Sequence, residues 1–314
     1  MSSVISIVAP VFALILIGFL SVRFGVLSET SGRGVADFVF KIAIPAMLFR
    51  TMVLMRAPEA PPTALWASFF GAVAIVWILA TLGTRLLLRR SSGDAAVISM
   101  CAGFGNVVML GIPLSLSTLG NEASVPIALI ITLSAPTLWF AATLQIEWAE
   151  RRQDASLAGI VRDFALSLLK NPIVMAVLLG SLWRLTGLGL GTIAGRITEM
   201  LAMAAVPGAL VALGLSLAGF EIKGQAGTLS LMLVLKLVAL PVVAWALVTF
   251  VFTLPKIWAG VVIIFAACPS GANAFLFASR YDRVVNSVSG AVALGTALSA
   301  LTISFLLFAL GLHH

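Results

Sequence analysis

Apolar residues run along this chain in ten long stretches, each closed by charged residues or by Gly and Pro. Their limits are 3–22, 35–55, 63–88, 95–119, 123–147, 166–186, 198–219, 227–252, 257–280 and 285–311. A helix of about 20 apolar residues crosses the ~30 Å hydrocarbon core of a bilayer, so each stretch predicts a spanning helix. The runs are continuous rather than alternating, which points to helices and not to barrel strands. The longest polar connection, residues 148–165, is read as a cytoplasmic linker. It separates a first five-helix unit, 1–147, from a second, 166–314.

Composition agrees with this pattern. Charged residues make up 10% of the chain and hydrophobic residues 61%, with a mean hydropathy of +1.14. A soluble domain carries about 25% charged residues, so an integral membrane protein is expected. The first stretch has no basic segment before it and is read as span 1, not as a signal peptide. Cys101 and Cys268 lie inside spans and imply no disulfide framework. The terminal His313 and His314 are given no role.

The two halves align with each other. Pro10 with Gly18 matches Pro172 with Gly180, and Pro45 matches Pro207, all at an offset of 162. Leu133-Ser134-Ala135-Pro136-Thr137 matches Leu298-Ser299-Ala300-Leu301-Thr302 at 165. Cys101-Ala102-Gly103-Phe104-Gly105-Asn106 matches Cys268-Pro269-Ser270-Gly271-Ala272-Asn273 at 167. Four coincidences in order, with a slowly drifting offset, support an internal repeat. Five helices per repeat is an odd number, so the second copy enters from the opposite side and the repeats are inverted.

Basic residues set the orientation. The net charge is +7, yet the positive residues concentrate in short loops, a topology signal and not a nucleic-acid signal. One side collects Arg23, Arg33, Arg85, Arg89, Arg90, Arg151, Arg152, Arg162, Lys170, Lys223, Arg280 and Arg283. The other holds Arg50, Arg56, Arg184, Arg196 and Lys256. The positive-inside rule puts the richer side in the cytoplasm and both termini outside.

The matched hexads are the chemical signal. Each places helix-breaking residues and an Asn where lipid demands an unbroken apolar helix. Broken backbone at that depth must be buried in protein or line a cavity. A matched pair of interrupted spans, one per half, points to a transporter's binding site. Spans 4 and 9 run in opposite directions, and the second half of each begins near its break. Two half-helix N-termini then meet near the membrane midplane, with free N–H groups and roughly half a positive charge each, and they attract anions. Asn106 and Asn273 add donors that reach a carboxylate. Ser270 and the backbone at Gly105 and Gly271 are expected to assist, and Gly103, Gly111, Pro113 and Pro269 to break the helices.

Ionisable residues inside the spans are few. The acids sit mostly at span ends, so no carboxylate cage for sodium is visible and sodium coupling is disfavoured. No metal and no cofactor is expected. Lys236 lies about ten residues into span 8, where a cation costs about 2.5–3.5 kcal/mol on insertion scales. Binding substrate, carrying a proton and holding a helix through backbone carbonyls are all open to it. Lys41 lies nearer the cytoplasmic end, can snorkel, and has Asp37 four residues before it. An intramembrane enzyme is not expected, since His is only terminal and no acid pair lies mid-span.

These residues resemble the auxin efflux carrier family, within the wider bile acid/sodium symporter-like superfamily. The resemblance rests on Phe104-Gly105-Asn106 with Leu110-Gly111-Ile112-Pro113, and on Cys268 to Phe275. Ile44 to Phe49, and Lys236 followed by Pro241, also fit. The resemblance implies an all-α protein of ten transmembrane helices in two inverted repeats, with broken spans 4 and 9 crossing. It implies a scaffold of spans 1, 2, 6 and 7 and a transport domain of spans 3–5 and 8–10 moving as an elevator. Plant members export the auxin carboxylate as dimers, so a homodimer is open to this chain; bacterial members are commonly called malonate or malate carriers.

The expectation is a secondary transporter of small organic anions in a bacterial inner membrane, surrounded by lipid, with a sodium-coupled symporter as the alternative. Pro45, Met47, Phe49, Pro207 and Leu210 are expected to form the scaffold wall facing the substrate.

Overall fold

A computed structural model describes residues 2–55, 61–150, 157–221 and 224–311. Arg56, Arg151, Arg152, Lys223, His313 and His314, named above, lie outside the described residues. All regular structure among the described residues is helical. Six helices there are long and apolar enough to cross a membrane: Val4–Arg23, Pro62–Leu86, Asn121–Ala149, Thr192–Leu217, Ala226–Val251 and Val285–Ala309. Val107–Leu119, Pro172–Leu185 and Lys256–Ala267 are shorter apolar helices. The chain is an integral membrane protein.

In chain order the helices are α1 (Ser2–Arg23), α2 (Glu29–Phe38), α3 (Ile44–Leu54), α4 (Pro62–Leu86) and α5 (Ser92–Gly103). Next come α6 (Ile112–Leu119), α7 (Ser124–Glu150), α8 (Leu157–Lys170), α9 (Pro172–Leu185) and α10 (Thr192–Leu217). The last are α11 (Ala226–Val234), α12 (Leu240–Ala246), α13 (Lys256–Ala267), α14 (Ala272–Tyr281) and α15 (Val285–Ala309). Wider π turns carry the backbone on at Val39–Ala43, Val107–Gly111, Leu235–Ala239 and Leu247–Val251.

Four stretches differ from the hydropathy reading. The connection placed at 148–165 is partly helical, because α8 starts at Leu157. Apolar residues recur there at 157, 160, 161, 164 and 168, a helical spacing interrupted by polar positions that a search for unbroken apolar runs passes over. The helix expected over 166–186 is not continuous. Pro172 disfavours helical backbone at the residue before it, and Asn171 takes φ −79°, ψ 117°. The Asn171 side chain then accepts a hydrogen bond from the Ile173 amide and opens α9. Finally, the helices expected from 35 and 198 begin earlier, at Glu29 and Thr192, the former with a polar first turn. Ser28 starts the former by accepting a bond from the Ser31 amide at 3.1 Å.

The helices pack closely on one another. α1 lies against α10, and α3 lies against both α9 and α10. α4, α5 and α7 pack together, α13 packs on α4, α6 and α12, and α14 and α11 pack on α15. Lipid tails are as apolar as Leu, so such helices associate through close contact and not through exclusion from water. Small residues permit that closeness. A Cβ built on Gly18 of α1 falls 2.3 Å from the Val211 carbonyl oxygen of α10, and one on Gly214 falls 1.9 Å from the Ile15 oxygen. The α9–α3 pair repeats the arrangement: a Cβ on Gly180 falls 2.7 Å from the Phe49 oxygen and 2.8 Å from Met52 Cβ. Gly18 and Gly180 are 162 residues apart, as are Phe49 and Val211, and Met52 and Gly214. The offset read along the sequence therefore recurs in which backbones touch.

Candidate functional site at a backbone crossing

The two matched hexads meet. The first interruption, Phe104 to Asn106, separates α5 from the helical turn that leads into α6. The second, Cys268 to Gly271, separates α13 from α14. Gly105 and Ser270 form an antiparallel bridge. The Asn106 amide donates to the Pro269 carbonyl at 2.7 Å, and the Gly271 amide donates to the Phe104 carbonyl at 3.0 Å. Each unwound segment thus satisfies the other's backbone, which lipid cannot do.

The crossing requires glycine at two places. A Cβ on Gly105 falls 2.9 Å from Lys236 Nζ and 3.3 Å from the Phe265 oxygen. A Cβ on Gly271 falls 3.3 Å from both Asn106 Cα and the Gly105 oxygen. Gly105→Val is therefore expected to press on Lys236 and on the α13 backbone at Phe265, costing about 1–3 kcal/mol as overpacking does. Thermal unfolding in detergent checks this, and an unchanged transition contradicts it.

The ends of the half-helices divide by polarity. Lys236 is 1% exposed, and its ammonium donates to the Ala266 carbonyl at 3.1 Å in the last turn of α13. The cation sits where carbonyl ends gather, the negative pole of a helix. Of the three roles the sequence left open for Lys236, the contact observed is the hold on a backbone carbonyl, and Lys236 is not among the residues lining the cavity described next.

The opposite poles face open space. A cavity of about 610 Å³ is lined by Phe104 to Met109 and by Gly271, Ala272 and Asn273. Asn106 is 8% exposed, and its Oδ1 accepts from the Met109 amide at 3.3 Å, leaving the side-chain NH₂ to donate. The Leu110 and Gly111 amides bond the Asn106 carbonyl, so the Val107 and Val108 amides remain as the orphan donors of that helix start. Asn273 is half-buried, and its side chain makes no hydrogen bond among the described residues. Two helix starts and two side-chain amides therefore converge as donors, with no Asp or Glu in the lining. Such a surface suits an anion.

The remaining walls come from elsewhere in the chain. Ile131, Ser134 and Ala135 of α7 form one, Phe40 and Lys41 of the π turn after α2 a second, and Lys170 to Ile173 a third. Reading hydropathy alone missed Phe40, Lys170, Asn171 and the α7 residues. Asn171-Pro172 carries a cap-and-proline signal that marks a helix start. Ser134-Ala135 lies in one of the repeat matches, where it served only as a marker.

The other candidates, Lys41 excepted, sit apart from the cavity. Ser270 is buried, and its hydroxyl donates to the Cys101 carbonyl at 2.8 Å, fastening the crossing. Gly103 packs on Trp77, and Gly111 packs on Phe265 and Cys268 Sγ. Pro113 lies in the first turn of α6, and Pro269 supplies a carbonyl to the crossing. Pro45, Met47, Phe49, Pro207 and Leu210 are not in the lining. Phe49 supplies the carbonyl under Gly180 instead. Lys41 pairs with Asp37 at 2.8 Å, both side chains being well exposed, a contact worth about 0–1 kcal/mol.

A helical membrane protein with interrupted helices crossing beside a cavity has the build of a transporter. Residues 3–307 match the family model described as "Membrane transport protein", and the chain belongs to that family, the auxin efflux carrier family. It is a transporter and not an enzyme. A Rhizobium meliloti protein named "Putative malonate transporter" is 25% identical over 98% of this chain and 96% of its own length. An uncharacterized transporter of Methanothermobacter thermautotrophicus is 25% identical over 94% of this chain and 95% of its own. The mouse lysosomal cholesterol signaling protein is 22% identical over 92% of this chain and 35% of its own.

Proposed function

We propose that this protein is a secondary transporter of small organic anions, carboxylates of the malonate, malate or auxin type. The observation that carries the reading is the polarity of the crossing. The carbonyl end of α13 is held by Lys236, and amide ends with the Asn106 and Asn273 side chains open into a cavity free of acids. An anion bound there completes donors that otherwise have no partner. The name of the Rhizobium relative is consistent with such a substrate.

The transport mechanism in this reading is an elevator with alternating access. Two inverted five-helix repeats supply it, and the contacts of Gly18 and Gly180 at equal offset support the repeat. α1, α2–α3, α9 and α10 pack with one another and form the scaffold; the helices around the crossing form the moving domain. Both termini lie outside a bacterial inner membrane, so the cavity, with Lys41 and Lys170 in its walls, opens to the cytoplasm. Membrane potential drives an anion outward with about 2.3 kcal/mol per charge per 100 mV, and export then needs no coupled ion.

The test is reconstitution in liposomes with labelled malonate, malate and indole-3-acetate under an imposed potential, with and without sodium. Potential-dependent, sodium-independent flux of at least one carboxylate is expected. Flux that requires sodium favours a symporter of the bile acid type, and the absence of any carboxylate flux overturns the proposal.

A further inference from the structure

We infer that Lys170 is a second anion anchor of the cavity and makes it select dicarboxylates over monocarboxylates. The inference rests on the carboxylate-binding reading of the crossing and adds a residue and a selectivity to it.

The cavity has two separate sources of positive potential. One is the crossing, where neutral amides of Asn106, Asn273 and two helix starts converge. The other lies on the wall made where α8 ends and α9 begins. Lys170 is the last residue of α8, and Asn171 after it caps the Ile173 amide at the start of α9; Lys170 and this capped helix start line the same cavity. Helix starts and cations reinforce each other toward an anion.

The lysines of the lining differ. Lys41 is paired with Asp37 at 2.8 Å. Lys170 is exposed and has no ion-pair partner among the described residues. No carboxylate in the lining competes for it. The crossing alone has donors enough for one carboxylate. A monocarboxylate bound there leaves Lys170 to water, whereas a dicarboxylate satisfies both ends. The same lining has apolar residues, Phe40, Val108, Met109 and Ile131, which suit the short hydrocarbon link of such a molecule.

Malonate and its monomethyl ester separate the charges while holding the carbon skeleton nearly constant. Binding of each is measured by calorimetry on the purified full chain, for wild type, Lys170→Gln and Lys170→Arg. Wild type is expected to bind malonate about tenfold or more tighter than the ester, in keeping with one added charge-assisted hydrogen bond. Lys170→Gln is expected to remove that preference by weakening malonate alone, and Lys170→Arg to keep it. Because Lys170 is exposed, folding is not at stake, and an unshifted melting temperature without ligand verifies that. Equal affinity of wild type for the two compounds, or equal losses for both in Lys170→Gln, overturns the role of Lys170 and leaves the carboxylate site standing. Binding of neither compound to wild type overturns both.

Discussion

Asn106→Asp is expected to abolish anion binding without lowering the stability of the protein. The Asn106 side chain begins a helix by accepting the Met109 amide at 3.3 Å. Aspartate keeps that acceptor, and its negative charge is favoured at a helix start by about 0.3–1 kcal/mol. The same charge faces the cavity in which an anion is proposed to sit. Two like charges about 4 Å apart repel by about 4 kcal/mol at an effective dielectric constant of ~20, which is about a thousandfold in affinity. Stability and binding therefore move in different directions, which general damage to the fold does not produce. Asn273→Asp tests the other half-helix, and its side chain has no intramolecular bond among the described residues to lose. Asn273→Ala loses donors only, whereas Asn106→Ala also loses the cap on the Met109 amide; each is expected to weaken binding about tenfold or more. The measurement is the substrate-dependent rise in melting temperature, followed by flux in liposomes. Unchanged ligand-dependent shifts in both aspartate variants remove these residues from the site.

Gly214→Ala is the second large effect, and it falls on stability. Alanine in a helix is ordinarily favoured over glycine by about 1 kcal/mol. Here the added methyl falls 1.9 Å from the Ile15 carbonyl oxygen and 2.8 Å from the Phe19 nitrogen, both backbone atoms of α1. No side-chain rotation relieves that contact, so α1 and α10 must separate. Overpacking of this kind costs about 1–3 kcal/mol, enough to exceed the propensity gain. Gly34 in α2 is the control, because nothing lies within 4 Å of its built Cβ. Gly34→Ala is expected to be neutral or mildly stabilising, and Gly214→Ala to melt several degrees lower. Equal melting temperatures contradict the close approach of the two helices.

The crossing was legible because it breaks a physical rule. Gly103, Gly105, Pro269 and Gly271 stand in apolar runs where the bilayer tolerates only continuous helix, so their presence demanded protein or a cavity around them. The other walls of the cavity obey no such local rule. Ile131 and Ile173 are ordinary apolar residues in ordinary helices, and only the packing of α7 and α9 beside the crossing makes them a lining. Ser270 shows the limit within the motif itself. Its hydroxyl was equally able to face a ligand or a carbonyl, and backbone direction at the bridge turned it to Cys101.

Hydrophobic content and its interruptions by themselves determined a helical membrane protein, the approximate position of its helices and the two places where backbone must leave the helix. That follows because a bilayer penalises every unpaired amide and every charge at the residue where it occurs. Tertiary structure alone decided which ends of the broken helices meet Lys236 and which meet open space. It also decided that Gly18, Gly180 and Gly214 are points of backbone contact, and that Lys170 shares a cavity with Asn106 and Asn273. Those outcomes depend on distances between segments far apart in the chain, set by how whole helices pack, and no local pattern encodes them.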